Sequence, residues 1–131
     1  MVIDSSALIA ILLGEPDREV LKRAIDAASV RLVSAVTKLE AGIVMVGRFN
    51  EAGRQELDAL LRQTEAVVVP FDDRQAEIAR DAFARYGRGR HSAALNFGDC
   101  ASYALAVAEA EPLLFKGTDF GATDVEVVPL G

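Results

Sequence analysis

Met1-Val2-Ile3-Asp4-Ser5-Ser6-Ala7, carried on by the apolar stretch to Leu13, is where the fold can be read. Three apolar residues, an acid, two hydroxyl residues and then an apolar run of helical length describe a buried strand feeding a helix. The same alternation repeats along the chain. Strands are expected at 1–3, 31–34, 66–69, 113–116 and 125–128. The first helix runs from Ser5 or Ser6 to about Leu13, and Pro16 opens a second with Val20, Leu21, Ala24 and Ile25 on one face. A third spans about Ala35 to Phe49, and Leu57, Leu60 and Leu61 mark a fourth. Asp72 reads as an N-cap with Gln75 in the capping-box position, leading into Ala76, Ala79, Phe83 and Tyr86. A loop from Gly87 to Gly98 precedes a last helix from Asp99 to about Ala110. Short apolar runs alternating with helical periodicity are the pattern of βα units around a parallel sheet, so the expected class is α/β.

The 131 residues are expected to form one domain, 1–131, with 51% hydrophobic residues to fill its core. A single cysteine, Cys100, excludes an internal disulfide and fits a reducing cytosol. Beside Asp99 it invites a nucleophile reading, but a small apolar helix residue is the simpler role. Ala7 to Leu13 is too short to span a bilayer and lacks the basic start of a signal peptide, so neither a membrane segment nor a targeting segment is expected. The net charge of −6 is the wrong sign for a general nucleic-acid binder, so such a substrate needs a local basic patch and metal ions.

Four acids, Asp4, Glu40, Asp99 and Asp119, fall where this pattern brings them to one edge of the sheet. Asp4 and Asp119 follow strand candidates, while Asp99 and Glu40 lie near helix starts that return to the same carboxyl edge. Each has a plainer role open to it: Asp4 and Asp99 as helix caps, Asp119 as a turn residue after Gly117. Glu40 resists one, because its helical neighbours Val36, Ile43 and Val44 form an apolar stripe. Gathered at ~4 Å, each pair of acids repels by ~1 kcal/mol in bulk water and ~4 kcal/mol at a protein surface. A divalent cation relieves this, and an all-oxygen set suits Mg²⁺ or Mn²⁺. The pattern is that of a metal-dependent phosphodiester-cleaving site.

Other chemistries lack their residues. His91 is the only histidine and no G-x-S-x-G elbow accompanies it; there is no G-x-x-x-x-G-K loop and no Cys/His zinc set. Gly87-Arg88-Gly89-Arg90 reads as a flexible basic loop, since no strand precedes it. Arg85, Arg88 and Arg90, with His91, form the densest basic segment and are candidate contacts to the phosphates of a substrate strand, with a solvated loop or one folded over a partner as the plainer role.

At these residues the chain resembles the PIN-domain family, and within it the VapC-type ribonuclease toxins of bacterial toxin–antitoxin pairs. The likeness rests on Met1-Val2-Ile3-Asp4-Ser5-Ser6-Ala7, Thr37-Lys38-Leu39-Glu40, Asn96-Phe97-Gly98-Asp99-Cys100 and Gly117-Thr118-Asp119-Phe120, in order and over essentially the whole chain. It implies a three-layer α/β/α fold with a mainly parallel, about five-stranded sheet. It also implies a cytoplasmic, magnesium-dependent endoribonuclease that dimerises and is neutralised by a cognate antitoxin. By position Asp4, Asp99 and Asp119 correspond to metal-holding acids, Glu40 completes the pocket, and Thr118 and Ser6 lend polar support. Hydrolysis by a metal-activated water does not use the ribose 2′-hydroxyl, so products carrying 5′-phosphate and 3′-hydroxyl are expected. The apolar residues of 36–49 and 57–61 point to a homodimer, and the acid pocket to an arginine-bearing antitoxin segment near Glu40 and Asp99. Two alternatives stand beside this reading. A haloacid-dehalogenase-like phosphatase would want an acid where Ser6 stands, and a non-catalytic metal-containing binding module would keep the acids without turnover.

Overall fold

The computed structural model describes residues 1–130. Its sheet has four parallel strands, β1 (Val2–Ile3), β2 (Leu32–Ser34), β3 (Val67–Val69) and β4 (Leu113–Leu114), in the order β3-β2-β1-β4. Val2 pairs with Leu32 on one side and Leu113 on the other, so β1 is central. Residues one apart on a strand face opposite ways, and the cores follow this rule. Ile3, Val33 and Leu114 pack against Leu8, Ile11, Leu21, Ile25, Leu57 and Leu61. Val2 and Leu113 instead meet Ala82, Leu95, Tyr103, Leu105 and Phe120. Helices α1 (Ser5–Leu12), α2 (Arg18–Ala27) and α3 (Ala35–Gln63) therefore serve one core. Helices α4 (Asp73–Tyr86) and α5 (Phe97–Glu109) serve the other, which gives the expected three layers.

The chain winds from β1 through β2 to β3, then returns to place β4 on the far side of β1. Between β1 and β4 the winding reverses, and the crevice beyond that point is where open parallel sheets bind ligands. Asp4 follows β1 directly and donates its backbone N–H to Leu114 O on β4 at 2.9 Å, which places it in that crevice.

Several elements differ from expectation. The segment 125–128 makes a single bridge, Leu113 to Val127, rather than a fifth strand. With only two residues in β4, there is too little ladder to extend it. The third and fourth expected helices are both present but follow one another without a loop, on either side of a kink at Asn50, whose φ of 54° and ψ of −139° are not helical; the two together are α3. Helix α5 starts two residues early because Asn96, not Asp99, is its N-cap. Asp72 caps α4 by accepting from Gln75 N at 2.9 Å, but the Gln75 side chain donates to Pro70 O instead of closing a box. Among the described residues no helix is long and apolar enough to cross a membrane.

Candidate functional site

Asp4 is only 2% exposed, and two donors hold its carboxylate. It is the N-cap of α1, accepting from Ser6 N at 3.1 Å. Its other oxygen accepts the Ser102 hydroxyl at 2.6 Å. Since the Ser102 proton is spent there, the Thr37 hydroxyl, 3.1 Å from Ser102, is the donor in that contact. A relay from α3 through α5 thus fixes the Asp4 carboxylate. Ser6 works at the same edge, its hydroxyl accepting Lys116 N at 2.9 Å just beyond β4.

Glu40, half-buried on α3, accepts the Ser5 hydroxyl at 2.5 Å. Its carboxylate lies against Gly98, where any side-chain carbon would run into it. The stripe expected around Glu40 faces outward in part: Ile43 is 64% exposed, and only Val36 and Val44 are half-buried. Gly98 brings Glu40 beside Asp99, the third residue of α5. Asp99 exchanges hydrogen bonds with the cap residue, accepting Asn96 N at 3.0 Å and donating its own N–H to the Asn96 side chain at 2.9 Å. It is therefore a capping-box residue as well as a pocket acid. Burial pushes the Asp99 carboxyl up to about 6, with Asp4, Asp119 and Glu40 adding charge repulsion against the opposing pull of the Asn96 N–H. All four acids thus share one electrostatic neighbourhood. Asp119 opens a single 3₁₀ turn, Asp119–Ala122, and is exposed, as is Thr118 before it.

As placed, no three His, Cys, Asp or Glu side chains among the described residues stand close enough to share an ion. Asp4, Glu40 and Asp99 are each turned onto a protein donor instead. The donor set itself is all hard oxygen, carboxylates backed by hydroxyls, with repulsion left uncompensated at Asp99; that chemistry fits Mg²⁺ or Mn²⁺. Cys100 is buried and its thiol is pushed up to about 11, by burial first and then by Asp99, so at neutral pH it is a protonated core residue and no nucleophile.

The basic segment is pinned rather than flexible. Arg88 N donates to Leu95 O at 3.0 Å beside a Gly87–Leu95 bridge, and Arg90 Nε donates to Ala84 O at 3.1 Å. Arg85 pairs with Asp124 at 3.1 Å and its guanidinium lies 4.8 Å from the Tyr86 ring centre. Arg88 and Arg90 have no carboxylate partner among the described residues.

Sequence reading missed Ser5, Thr37, Asn96 and Ser102. A faint signal existed: Thr37 precedes Glu40 by three residues and Ser102 follows Asp99 by three, so each shares a helix face with an acid.

The PIN domain family model matches residues 1–126. The chain is 52% identical over 128 residues to "Ribonuclease VapC" of Mycolicibacterium smegmatis, an alignment covering 98% of this chain and 99% of that protein. Among solved structures, VapC20 of Mycobacterium tuberculosis, described as a sarcin–ricin loop cleaving toxin, superposes with a TM-score of 0.78 at 20% identity over 98% of each chain. A toxin–antitoxin complex from Klebsiella pneumoniae gives 0.73 at 23% identity, covering 99% of this chain and 97% of that one. At such identities these two likenesses bear on the fold alone.

Proposed function

The chain belongs to the PIN-domain family, and from that premise we propose that it is a divalent-metal-dependent endoribonuclease, the toxin of a toxin–antitoxin pair. The observation that carries the reading is that helix α5 draws three acids to one edge of the sheet: Asp4 is bonded to its Ser102, the Glu40 carboxylate lies against its Gly98, and Asp99 follows Gly98 directly. The full-length similarity to a ribonuclease supports it. Family membership also removes the phosphatase alternative.

In this reading Asp4, Asp99 and Asp119 would hold Mg²⁺ or Mn²⁺. When bound, the cation neutralises the charge that develops on the phosphate oxygens during in-line displacement. Ser102, braced by Thr37, keeps the Asp4 carboxylate from rotating away. Asn96 does the same for Asp99 through the helix cap. Glu40, oriented by Ser5, accepts the proton of the attacking water. Thr118, whose side chain makes no cap bond, would contact phosphate or water. Attack by external water leaves 5′-phosphate and 3′-hydroxyl ends. Arg88 and Arg90 provide phosphate contacts at the rim, whereas the Arg85 charge is taken by Asp124.

A partner fits the face of α3 next to Glu40. Leu39, Ile43 and Val46 follow i, i+4, i+7 spacing and are 63%, 64% and 43% exposed, with Phe49 beside them. We assign this surface to a homodimer or antitoxin contact.

The test is cleavage of total RNA by purified protein, with product ends mapped and a small phosphomonoester run alongside. EDTA should abolish cleavage, Mn²⁺ or Mg²⁺ should restore it, and Asp4→Asn should remain inactive while folded. Undiminished cleavage in EDTA would overturn the metal mechanism. A folded, metal-binding chain that cleaves nothing would make it a binding module.

A further inference from the structure

Asp119 is the least anchored of the four acids: exposed, and carried on a single 3₁₀ turn. The residues after it are held firmly. The Phe120 ring is buried, 5.0 Å from the Phe115 ring and edge-on to it. Thr123 turns its hydroxyl back to Phe120 O at 2.8 Å. Asp124 is then gripped from two helices. The Tyr103 hydroxyl of α5 donates to one carboxylate oxygen at 2.5 Å, and Arg85 of α4 donates to the other at 3.1 Å.

The grip is itself supported. Tyr103 is 3% exposed, so its ring cannot swing out, and its centre lies 6.1 Å from that of Tyr86. Arg85 also donates to the Tyr86 hydroxyl at 2.8 Å, and His91 meets the Tyr86 ring edge-on at 5.1 Å. The chemistry is internally consistent. The Tyr103 donor and the Arg85 charge hold the Asp124 carboxyl below the usual carboxylate range, while burial and the Asp124 bond push the Tyr103 hydroxyl up. Asp124 thus stays ionised and Tyr103 stays protonated across the neutral range, so donor and acceptor keep their roles there. A two-pronged, charge-assisted grip of this kind is the strong form of hydrogen bonding. No chemistry at the four acids calls for any of these three residues. Yet they sit at the far end of the short segment that delivers the fourth acid.

We propose that Tyr103, Arg85 and Asp124 form a clamp that positions Asp119 in the acid pocket, making Asp124 a positioning residue for metal binding. The clamp rests on the metal-site reading of Asp119. Without the grip the 119–124 segment keeps only Phe120 and a turn of local hydrogen bonds, and low-stability segments of that sort open readily.

Two readouts test it without recourse to nuclease activity. Amide hydrogen exchange in Asp124→Asn and Tyr103→Phe should quicken at residues 119–124 by ~10-fold or more, while β1 and α1 are unchanged. Calorimetric titration with Mn²⁺ should show Asp124→Asn weakening affinity by about 10-fold in the parent and by less than about 2-fold in an Asp119→Asn background, the signature of one residue acting through another. Unaltered exchange at 119–124 overturns the clamp. Equal losses of Mn²⁺ affinity in both backgrounds overturn the positioning role and leave Asp124 a fold residue. A parent chain that binds no Mn²⁺ overturns the metal-site reading itself, a result separate from either. Tyr103→Phe guards against a misfolded Asp124 variant, since it removes one hydroxyl and leaves the buried ring.

Discussion

Asp99 gives the metal-free protein a pH dependence of known sign. Its carboxyl titrates at about 6 in the fold and at 3.8 as an ordinary aspartate, so the native state binds the proton more tightly. The stabilisation from that proton is full below 3.8 and is lost as pH rises through 6. In EDTA, melting should therefore be higher at pH 5 than at pH 8, by about 1–2 kcal/mol once solvent screening of this half-buried group is allowed for. Asp99→Asn, which retains the cap acceptor, should flatten the difference. Cleavage should run the other way, falling as pH drops through about 6, with a midpoint that moves lower as Mn²⁺ is raised, because ion and proton compete for one carboxylate. A midpoint indifferent to Mn²⁺ would detach Asp99 from the ion. Gly98→Ala is a second residue-scale case. The added methyl meets the Glu40 carboxylate, the end of a flexible side chain, so the fold should lose little while cleavage falls ~10- to 100-fold. Thermal melting and initial rates measured on the same preparation check this. That Asp4, Glu40 and Asp99 come to one edge was legible in the sequence, because strand ends and the starts of crossover helices return there. Their hydroxyl partners were not. Ser102 joins Asp4 across 98 residues and Thr37 across 65, and nothing local marks either serine or threonine.

The break in α3 shows what an element's sequence can and cannot carry. Two helices around 35–49 and 57–61 were readable and are present, but the sharp turn that joins them depends on Asn50 entering a positive-φ conformation and on Gly53 sitting against Met45 O. Asn tolerates φ of 54° at a cost that Gly does not incur. Asn50→Gly should raise stability by about 1 kcal/mol, whereas Gly53→Ala, whose Cβ would overlap backbone rather than a mobile side chain, should cost about 1–3 kcal/mol. Urea midpoints of the two variants test the pair. Equal effects would mean the bend is not held where the backbone places it. The fifth strand failed for a related reason: hydrophobic Val125, Val127 and Val128 satisfy the strand pattern, but pairing needs a neighbour, and β4 offers two residues. Helix α5 was misplaced by two residues because Asn96 and Asp99 both suit a cap, and only their reciprocal bonds decide between them.

For the whole molecule, the net charge of −6 sets the problem of attracting a polyanion. If Arg88 and Arg90 meet phosphates, neutralising each should lower the log–log salt slope of RNA binding by roughly 0.7. Arg85→Gln should leave that slope alone and loosen 119–124 instead. The apolar face of α3 leads to a prediction at the same scale. Light scattering should give a dimer, and a polar Ile43→Asp change should shift it toward monomer or break rescue of growth by the neighbouring gene. A monomer that neither slows growth nor is countered by that neighbour would remove the toxin role and leave a nuclease. Layers, strand direction and the edge that carries the acids were all legible, because they follow from alternation and the rules of parallel sheets; the exposed α3 stripe was read as partly inward, since periodicity cannot say which face is covered. The strand order β3-β2-β1-β4 has a last consequence, one of timing. The central strand precedes both its neighbours in the chain, and its second neighbour comes more than a hundred residues later, after which Asp119 still has to follow. During synthesis the ribosome must pass all of these points before the sheet closes or the last acid arrives. A chain terminated before β4 thus lacks both the second neighbour of β1 and Asp119, and a break within 87–96 would part Asp4 and Glu40 from Asp99 and Asp119.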